Sequence, residues 1–231
     1  MTKYPSIETV YVRDKATNIL AFGTIRLPEI TCIRNWTISE KIDGTNIRAI
    51  VTASGIEVRG RTDAAQLPPG LKDAVLGALP AHEKLISYFR EYGGRVDEEG
   101  WSVTFYGEGY GPGIQKGASY SNEKRFRVFD LMLGEKTWVD DGEMRRVCRE
   151  LGIPTAPHLG YAQQLPQTYD ELKAWIPQSV VAVEDRDAAG IEAEGIVAKP
   201  EHVLLDKYGD RVVWKLTLRE WSKLCSKEVD A

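Results

Sequence analysis

Eight consecutive residues, Ser39-Glu40-Lys41-Ile42-Asp43-Gly44-Thr45-Asn46, set an amine between two carboxylates with a glycine and an amide behind them. They lie between two runs that read as strands, 36–38 and 47–52. A lysine held within a sheet acts as a nucleophile when its neighbours lower its pKa or manage its charge. Glu40 and Asp43 can orient the amine, and Gly44 lets the backbone approach a ligand. Taken alone, the same residues also fit a solvated charged turn. Glu108 lies in the glycine-rich run Gly107-Glu108-Gly109-Tyr110-Gly111-Pro112-Gly113, which suits either close backbone approach to a ligand or a tight hairpin. Lys116 adds a positive charge to the same loop. Phe129-Asp130 ends a strand pattern, where an aromatic can stack on a base or simply fill core. Glu194 and Lys199 bracket a strand and are five apart. On an ideal strand they point to opposite faces, so a loop or bulge after Val197 is needed for both to reach one ligand. Lys215 interrupts the apolar strand 211–216 and needs a partner there, an anionic ligand being one candidate.

The elements that must position these residues read as an irregular mixture. Residues 4–33 are short apolar pieces broken by turn signals such as Arg26-Leu27-Pro28. Residues 36–61 form a meander, with Ala53-Ser54-Gly55 as the turn between Ile47–Val51 and Ile56–Arg59. Leu67-Pro68-Pro69-Gly70 is a break. Helical spacing follows over 71–92, closed by Gly93-Gly94. Strands are predicted over 101–106 and 126–133. A helix starts at Asp140-Asp141 and closes at Gly152. A short helix is predicted over 168–176, strands over 180–183, 194–199 and 211–216, and an amphipathic tail over 218–227. The fold class is therefore α+β with antiparallel sheets, not a doubly wound parallel sheet.

The chain has 231 residues, 42% hydrophobic and 28% charged, and is long enough to bury a full core. Its net charge of -4 argues against a histone-like polyanion binder and leaves room for a basic cleft on an acidic body. Cys32, Cys148 and Cys225 are odd in number, far apart and form no CxxC, which reads as reduced thiols. His82, His158 and His202 make no zinc spacing with them. GxSxG, HExxH and Walker-type motifs are lacking. With no apolar signal core and no run of membrane-spanning length, a cytoplasmic protein without membrane contact is expected.

In order, these sites resemble the covalent nucleotidyltransferase superfamily of ATP-dependent ligases and mRNA capping enzymes. Lys41-Ile42-Asp43-Gly44 resembles its KxDG motif, and Phe105-Tyr106-Gly107-Glu108 and Phe129-Asp130 the next motifs. Glu194-Gly195-Ile196-Val197 and Trp214-Lys215-Leu216 resemble the last two. Asn46, Arg61, Glu40, Lys199 and the long glycine-rich segment with Ile114-Gln115-Lys116-Gly117 and Tyr120 are similar to RNA ligases of the RNA-ligase-2 type. The family's fifth motif usually has two basic residues in a KxK pattern; here Lys215 has Val213 and Thr217 two positions away.

The resemblance implies a nucleotidyltransferase (ATP-grasp-like) domain of antiparallel sheets flanked by helices. It would be a single adenylyltransferase domain over 1–231, without a C-terminal OB-fold or helical domain. It further implies an ATP-dependent RNA ligase that uses Mg2+ or Mn2+. Lys41 would carry a covalent AMP and pass it to an RNA 5′-phosphate, where a 3′-hydroxyl would displace the AMP and seal the strand. The catalytic set would be Lys41, Lys199 and Lys215. Glu40, Asn46, Arg61, Glu108 and Phe129 would bind nucleotide, and Glu194 and Asp130 would serve a metal. A monomer is expected, with an accessory domain or protein partner as an option. The alternatives are a minimal DNA ligase, a capping-type guanylyltransferase, or a non-catalytic RNA-binding relic.

Overall fold

Twelve strands and five α-helices order the computed structural model, which describes residues 3–14, 16 and 20–220. They are β1 (Glu8–Thr9), β2 (Tyr11–Arg13), β3 (Leu20–Ile25), β4 (Trp36–Lys41), β5 (Thr45–Thr52), β6 (Gly55–Gly60), α1 (Leu71–Ala78), α2 (His82–Glu91), β7 (Val103–Tyr110), β8 (Arg125–Leu133), β9 (Thr137–Trp138), α3 (Asp141–Leu151), β10 (His158–Ala162), α4 (Tyr169–Trp175), α5 (Val180–Arg186), β11 (Gly195–Pro200) and β12 (Trp214–Thr217). The chain forms two compact units. One is Asp43–Ala156 together with Tyr4, and the other is Pro5–Ile42 with the chain from Pro157 onward. The chain passes from the second to the first directly after Lys41-Ile42. The class is α+β with antiparallel sheets, and β1 joins β12 in parallel.

In the 43–156 unit the sheet order is β6-β5-β7-β8-β9. Period-two alternation sends Ile47, Ala49 and Val51 of β5, Val103 and Phe105 of β7, and Phe126 and Val128 of β8 into one core. Leu71 and Val75 of α1, Leu85 and Phe89 of α2, and Met144 and Val147 of α3 fill the same core. Each large apolar side chain buried there contributes roughly 1.5–3 kcal/mol. On the opposite face Asn46 pairs with Glu108, and Arg48 with Tyr106. In β8, Gly107 pairs with Val128 and Tyr106 with Asp130, so Phe129 is the extra residue of a bulge.

In the Lys41 unit the sheet order is β1-β12-β11-β4-β10, and β2 and β3 pair antiparallel as a separate two-stranded sheet. Trp36, Ile38, Ile196, Ala198, Trp214 and Leu216 line one face, packed with Leu172 and Ile176. The alternate residues Thr37, Ser39 and Lys41, Val197 and Lys199, and Lys215 and Thr217 occupy the other.

Three elements differ from the sequence expectations. The 71–92 segment is two helices, because Pro80 cannot donate to the helix and its ring disfavours the helical region at Leu79, which is extended at ψ 147. Val180 to Val183 lies in helix α5, where Ser179 caps the N-terminus by accepting from Ala182 N–H and overrides the β preference of three valines. Strand β10 lacks a clean alternation and emerges only in the sheet. Within the predicted tail, 221–227 lies outside the described residues, as does Cys225. Among the described residues no helix is long and apolar enough to cross a membrane.

Candidate active site

Lys41 closes β4, and its Nζ lies 2.6 Å from Glu194 Oε2. Glu194 stands just before β11, whose first residue, Gly195, pairs with Lys41. A Cβ on Gly195 would sit 2.1 Å from Leu216 O, and its φ of +152 also favours glycine. Gly195 therefore lets β12 come close and turns Glu194 toward the lysine. The register of β11 runs unbroken from Gly195 to Pro200, so the bend needed to bring Glu194 and Lys199 to one side falls at Gly195, with no bulge after Val197. Lys199 pairs with Thr37, and Lys215 with Val197, which pairs with Ser39. Cross-strand partners share a face, so Lys41, Lys199 and Lys215 lie on one side of this sheet. Lys199 is buried, while Lys41 and Lys215 are half-buried. The position two residues after Lys215 is Thr217, paired with Gly195.

Glu40 points the other way. It is buried, and its carboxylate accepts from Ser179 Oγ at 2.6 Å, Val180 N–H at 2.9 Å and Val181 N–H at 3.0 Å. The first turn of α5 thus finds an acceptor for its unpaired donors and a negative charge at its positive end. Ser179 had no signal beyond its capping type, and the match between it and Glu40 depends on tertiary placement.

In the 43–156 unit, Gly44 opens the chain into β5, and a Cβ there would lie 2.3 Å from Gly109 O and 2.9 Å from Glu108 Cγ. The glycine is what permits the start of β5 to pack against the Glu108 strand. Opposite Glu108, Asn46 has a buried Oδ1 without a hydrogen-bond partner. Phe129, at the bulge, is half-buried, and its ring lies 5.0 Å from that of Tyr4. Tyr4 donates to Asp130 Oδ2 at 2.8 Å, and Asp130 is fully buried. Burial pushes the neighbouring Tyr106 phenol up to about 12. Arg61 is exposed, on the turn after β6. That turn is held by Arg48, which is 1% exposed and donates to Gly60 O at 2.9 Å and to Asp63 Oδ1 at 2.7 Å. The hydrogen bond from Arg48, then that from Arg59, holds the Asp63 carboxyl below the usual carboxylate range. Arg48 was missed in the sequence, although a cation within the apolar run of β5 is the same kind of signal that singled out Lys215.

The Lys41 unit therefore presents an amine, a carboxylate and two further lysines on one face. This donor set suits attack on an electron-poor phosphorus with the developing negative charge stabilised nearby. Glu194, an oxygen donor about one quarter exposed, fits a hard divalent cation, since Mg2+ is bound by one or two carboxylates with phosphate and water completing its shell. Asp130 has an oxygen engaged by Tyr4 within its own unit. Among the described residues no group of three His, Cys, Asp or Glu side chains gathers as a metal cage.

The family model described as RNA ligase matches residues 34–217. A comparison with curated protein sequences finds no match. Among solved structures, a variant of the Naegleria gruberi RNA ligase with ATP and Mn superposes with a TM-score of 0.64 at 16% identity, over 100% of this chain and 59% of that one. The Naegleria gruberi RNA ligase with PPi gives 0.60 at 16% identity, over 100% and 64%. An archaeal ATP-dependent RNA ligase gives 0.58 at 21% identity, over 95% and 49%. The chain thus spans between 49% and 64% of the length of these structures. At these identities the likeness establishes the fold of these RNA ligases.

Proposed function

Because the chain belongs to the RNA ligase family, we propose that it is an ATP-dependent RNA ligase working through a lysyl-AMP intermediate on Lys41. The observation that carries the reading is the Lys41–Glu194 contact of 2.6 Å on the face shared with Lys199 and Lys215. Solved relatives hold ATP with Mn, which supports the same nucleotide and metal requirement here.

In the first step Lys41 Nζ, freed of a proton and of Glu194, attacks the α-phosphorus of ATP. The N–P bond forms as the P–O bond to pyrophosphate breaks. Lys199 and Lys215 offset the negative charge of the phosphates. Glu194 would hold a divalent cation, which would supply charge neutralisation for the phosphates. Asn46 Oδ1 and Glu108 supply paired acceptors for ribose hydroxyls, and Phe129 supplies a ring for adenine. Arg61 is assigned to the phosphate at the end to be joined. In the second step AMP passes from Lys41 to an RNA 5′-phosphate, and in the third a 3′-hydroxyl displaces AMP and seals the strand. Glu40 and Asp130 act through the fold: Glu40 anchors α5 behind Lys41, and Asp130 binds Tyr4 beside Phe129.

The test is labelling with α-labelled ATP or GTP, followed by joining assays on matched RNA and DNA, nicked and single-stranded. Labelling by ATP and sealing of RNA ends are expected. Labelling by GTP alone would assign a capping-type activity instead, and sealing of DNA alone a DNA ligase.

A further inference from the structure

Among the described residues, β10 is the outer strand of the sheet that carries Lys41, paired through one edge to β4. Its register skips a position: His158 pairs with Ser39, Gly160 with Ile38, and Tyr161 with Thr37. In a regular strand, residues three apart point to opposite faces. The extra residue of the bulge puts His158 and Tyr161 on the same face, a re-aiming that bulges produce beside functional sites. Gly160, within the bulge, has φ +133, a conformation open chiefly to glycine.

The two rings meet edge to face with centroids 4.8 Å apart. Tyr161 is 67% exposed, so its ring contributes little to the core. Through their partners Ser39 and Thr37, the pair shares the face of Lys41, Lys199 and Lys215. At ~3.3 Å per residue, the positions of His158 and Tyr161 lie about 7 and 13 Å before Lys41 along the strand direction. A stacked strand advances about 3.4 Å per nucleotide, so this is a reach of about two to four nucleotides.

Proteins that bind unpaired nucleic acid join positive charge, which tracks the backbone, to aromatic rings on which bases stack. One face of this sheet holds both parts. We infer that Tyr161, braced edge-on by His158, stacks on an unpaired base of the RNA strand whose end is presented to Lys41. The inference rests on the ligase reading above and adds a strand-holding subsite to it.

The test compares wild type, Tyr161→Ala, Tyr161→Phe and His158→Ala. Binding of a fluorescent, 5′-phosphorylated single-stranded RNA is measured by anisotropy across a salt series, and labelling by α-labelled ATP is measured in parallel. Loss of one stacked base corresponds to a drop in RNA affinity of about 5- to 150-fold. Tyr161→Ala is expected to show that drop with labelling unchanged and with the slope of log affinity against log salt unchanged, since no phosphate contact is lost. Tyr161→Phe retains binding, and His158→Ala weakens it by a smaller factor. Unchanged RNA affinity in Tyr161→Ala, or equal loss in Tyr161→Phe, overturns the platform while leaving the ligase reading intact. A self-association broken by Tyr161→Ala with RNA affinity untouched also overturns it, and assigns the edge to a second copy. Absence of labelling in wild type overturns the ligase reading, and the anisotropy series then still decides whether Tyr161 holds RNA.

Discussion

The Ser179 hydroxyl donates a 2.6 Å hydrogen bond to Glu40, the residue directly before Lys41. Adjacent strand residues point to opposite faces, so anchoring Glu40 to α5 fixes the side on which Lys41 emerges.

Glu40→Ala leaves a buried hydroxyl and two helix N–H groups without their acceptor. It is expected to lower stability by about 2–4 kcal/mol, with unmade buried hydrogen bonds the main cause. Glu40→Gln keeps acceptors, loses the charge at the helix start, and loses about half of that. Urea unfolding of the two variants checks the order. Equal stability of wild type and Glu40→Ala would remove the anchoring role.

Arg48→Ala strips Gly60 O and Asp63 of their donor, with an expected loss of about 1–3 kcal/mol. Hydrogen exchange should quicken across 61–66, the turn that bears Arg61. The pH dependence has a definite sign. Because Asp63 is held below the usual carboxylate range, its contribution is full above the unfolded value and fades as pH falls through the lower folded value. Arg48→Ala therefore flattens the acid limb of the stability curve, which unfolding at several pH values between neutral and acid would detect.

Gly44→Ala forces a methyl against Gly109 O and Glu108 Cγ, at 2.3 and 2.9 Å. Overpacking of this kind costs about 1–3 kcal/mol, and the shift falls on the Glu108 strand, so labelling by ATP should drop as well. Gly142→Ala, where nothing lies within 4 Å, is the matched control and is expected to be near neutral or slightly stabilising. Thermal melts of both variants, run together, separate packing from general intolerance of alanine.

Burial pushes the Cys148 thiol up from 9.0 to about 12, whereas Cys32 is exposed. An aromatic disulfide reagent near pH 8 should modify Cys32 and leave Cys148 until the protein unfolds. Folding favours the protonated Cys148 thiol, so its contribution is full below about pH 9 and declines as pH rises toward about 12. Peptide mapping after partial modification reads the difference; rapid reaction at Cys148 in the native protein would contradict it.

Much of the fold and of the candidate site's placement was legible where local chemistry and tertiary position agreed. Ala53-Ser54-Gly55 turns β5 into β6 as its residue types require, and Gly152 ends α3 in the left-handed conformation at φ 74. Lys41, Glu194, Lys199 and Lys215 stood out because charges at strand positions need a partner, and they share one face. The misreadings fell where tertiary contacts overrode propensity. The valines of α5 looked like a strand until the Glu40 carboxylate stood at the helix start. Arg48 carried a signal, a cation in an apolar run, but its partner Asp63, 15 residues away, was hidden, as was the Tyr4–Asp130 bond across 126 residues. The β10 bulge was hidden because its meaning lies in register with β4.

Under the proposed function, Lys41 Nζ forms the covalent bond to AMP. The direct measurement is transfer of label from α-labelled ATP to purified protein with Mg2+, for wild type and Lys41→Ala. The Lys41–Glu194 pair is partly exposed, and such pairs contribute about 0–1 kcal/mol, so the variant should remain folded. Acid-labile label is expected on wild type and none on Lys41→Ala; label on Lys41→Ala equal to wild type would overturn the assignment of Lys41 as nucleophile.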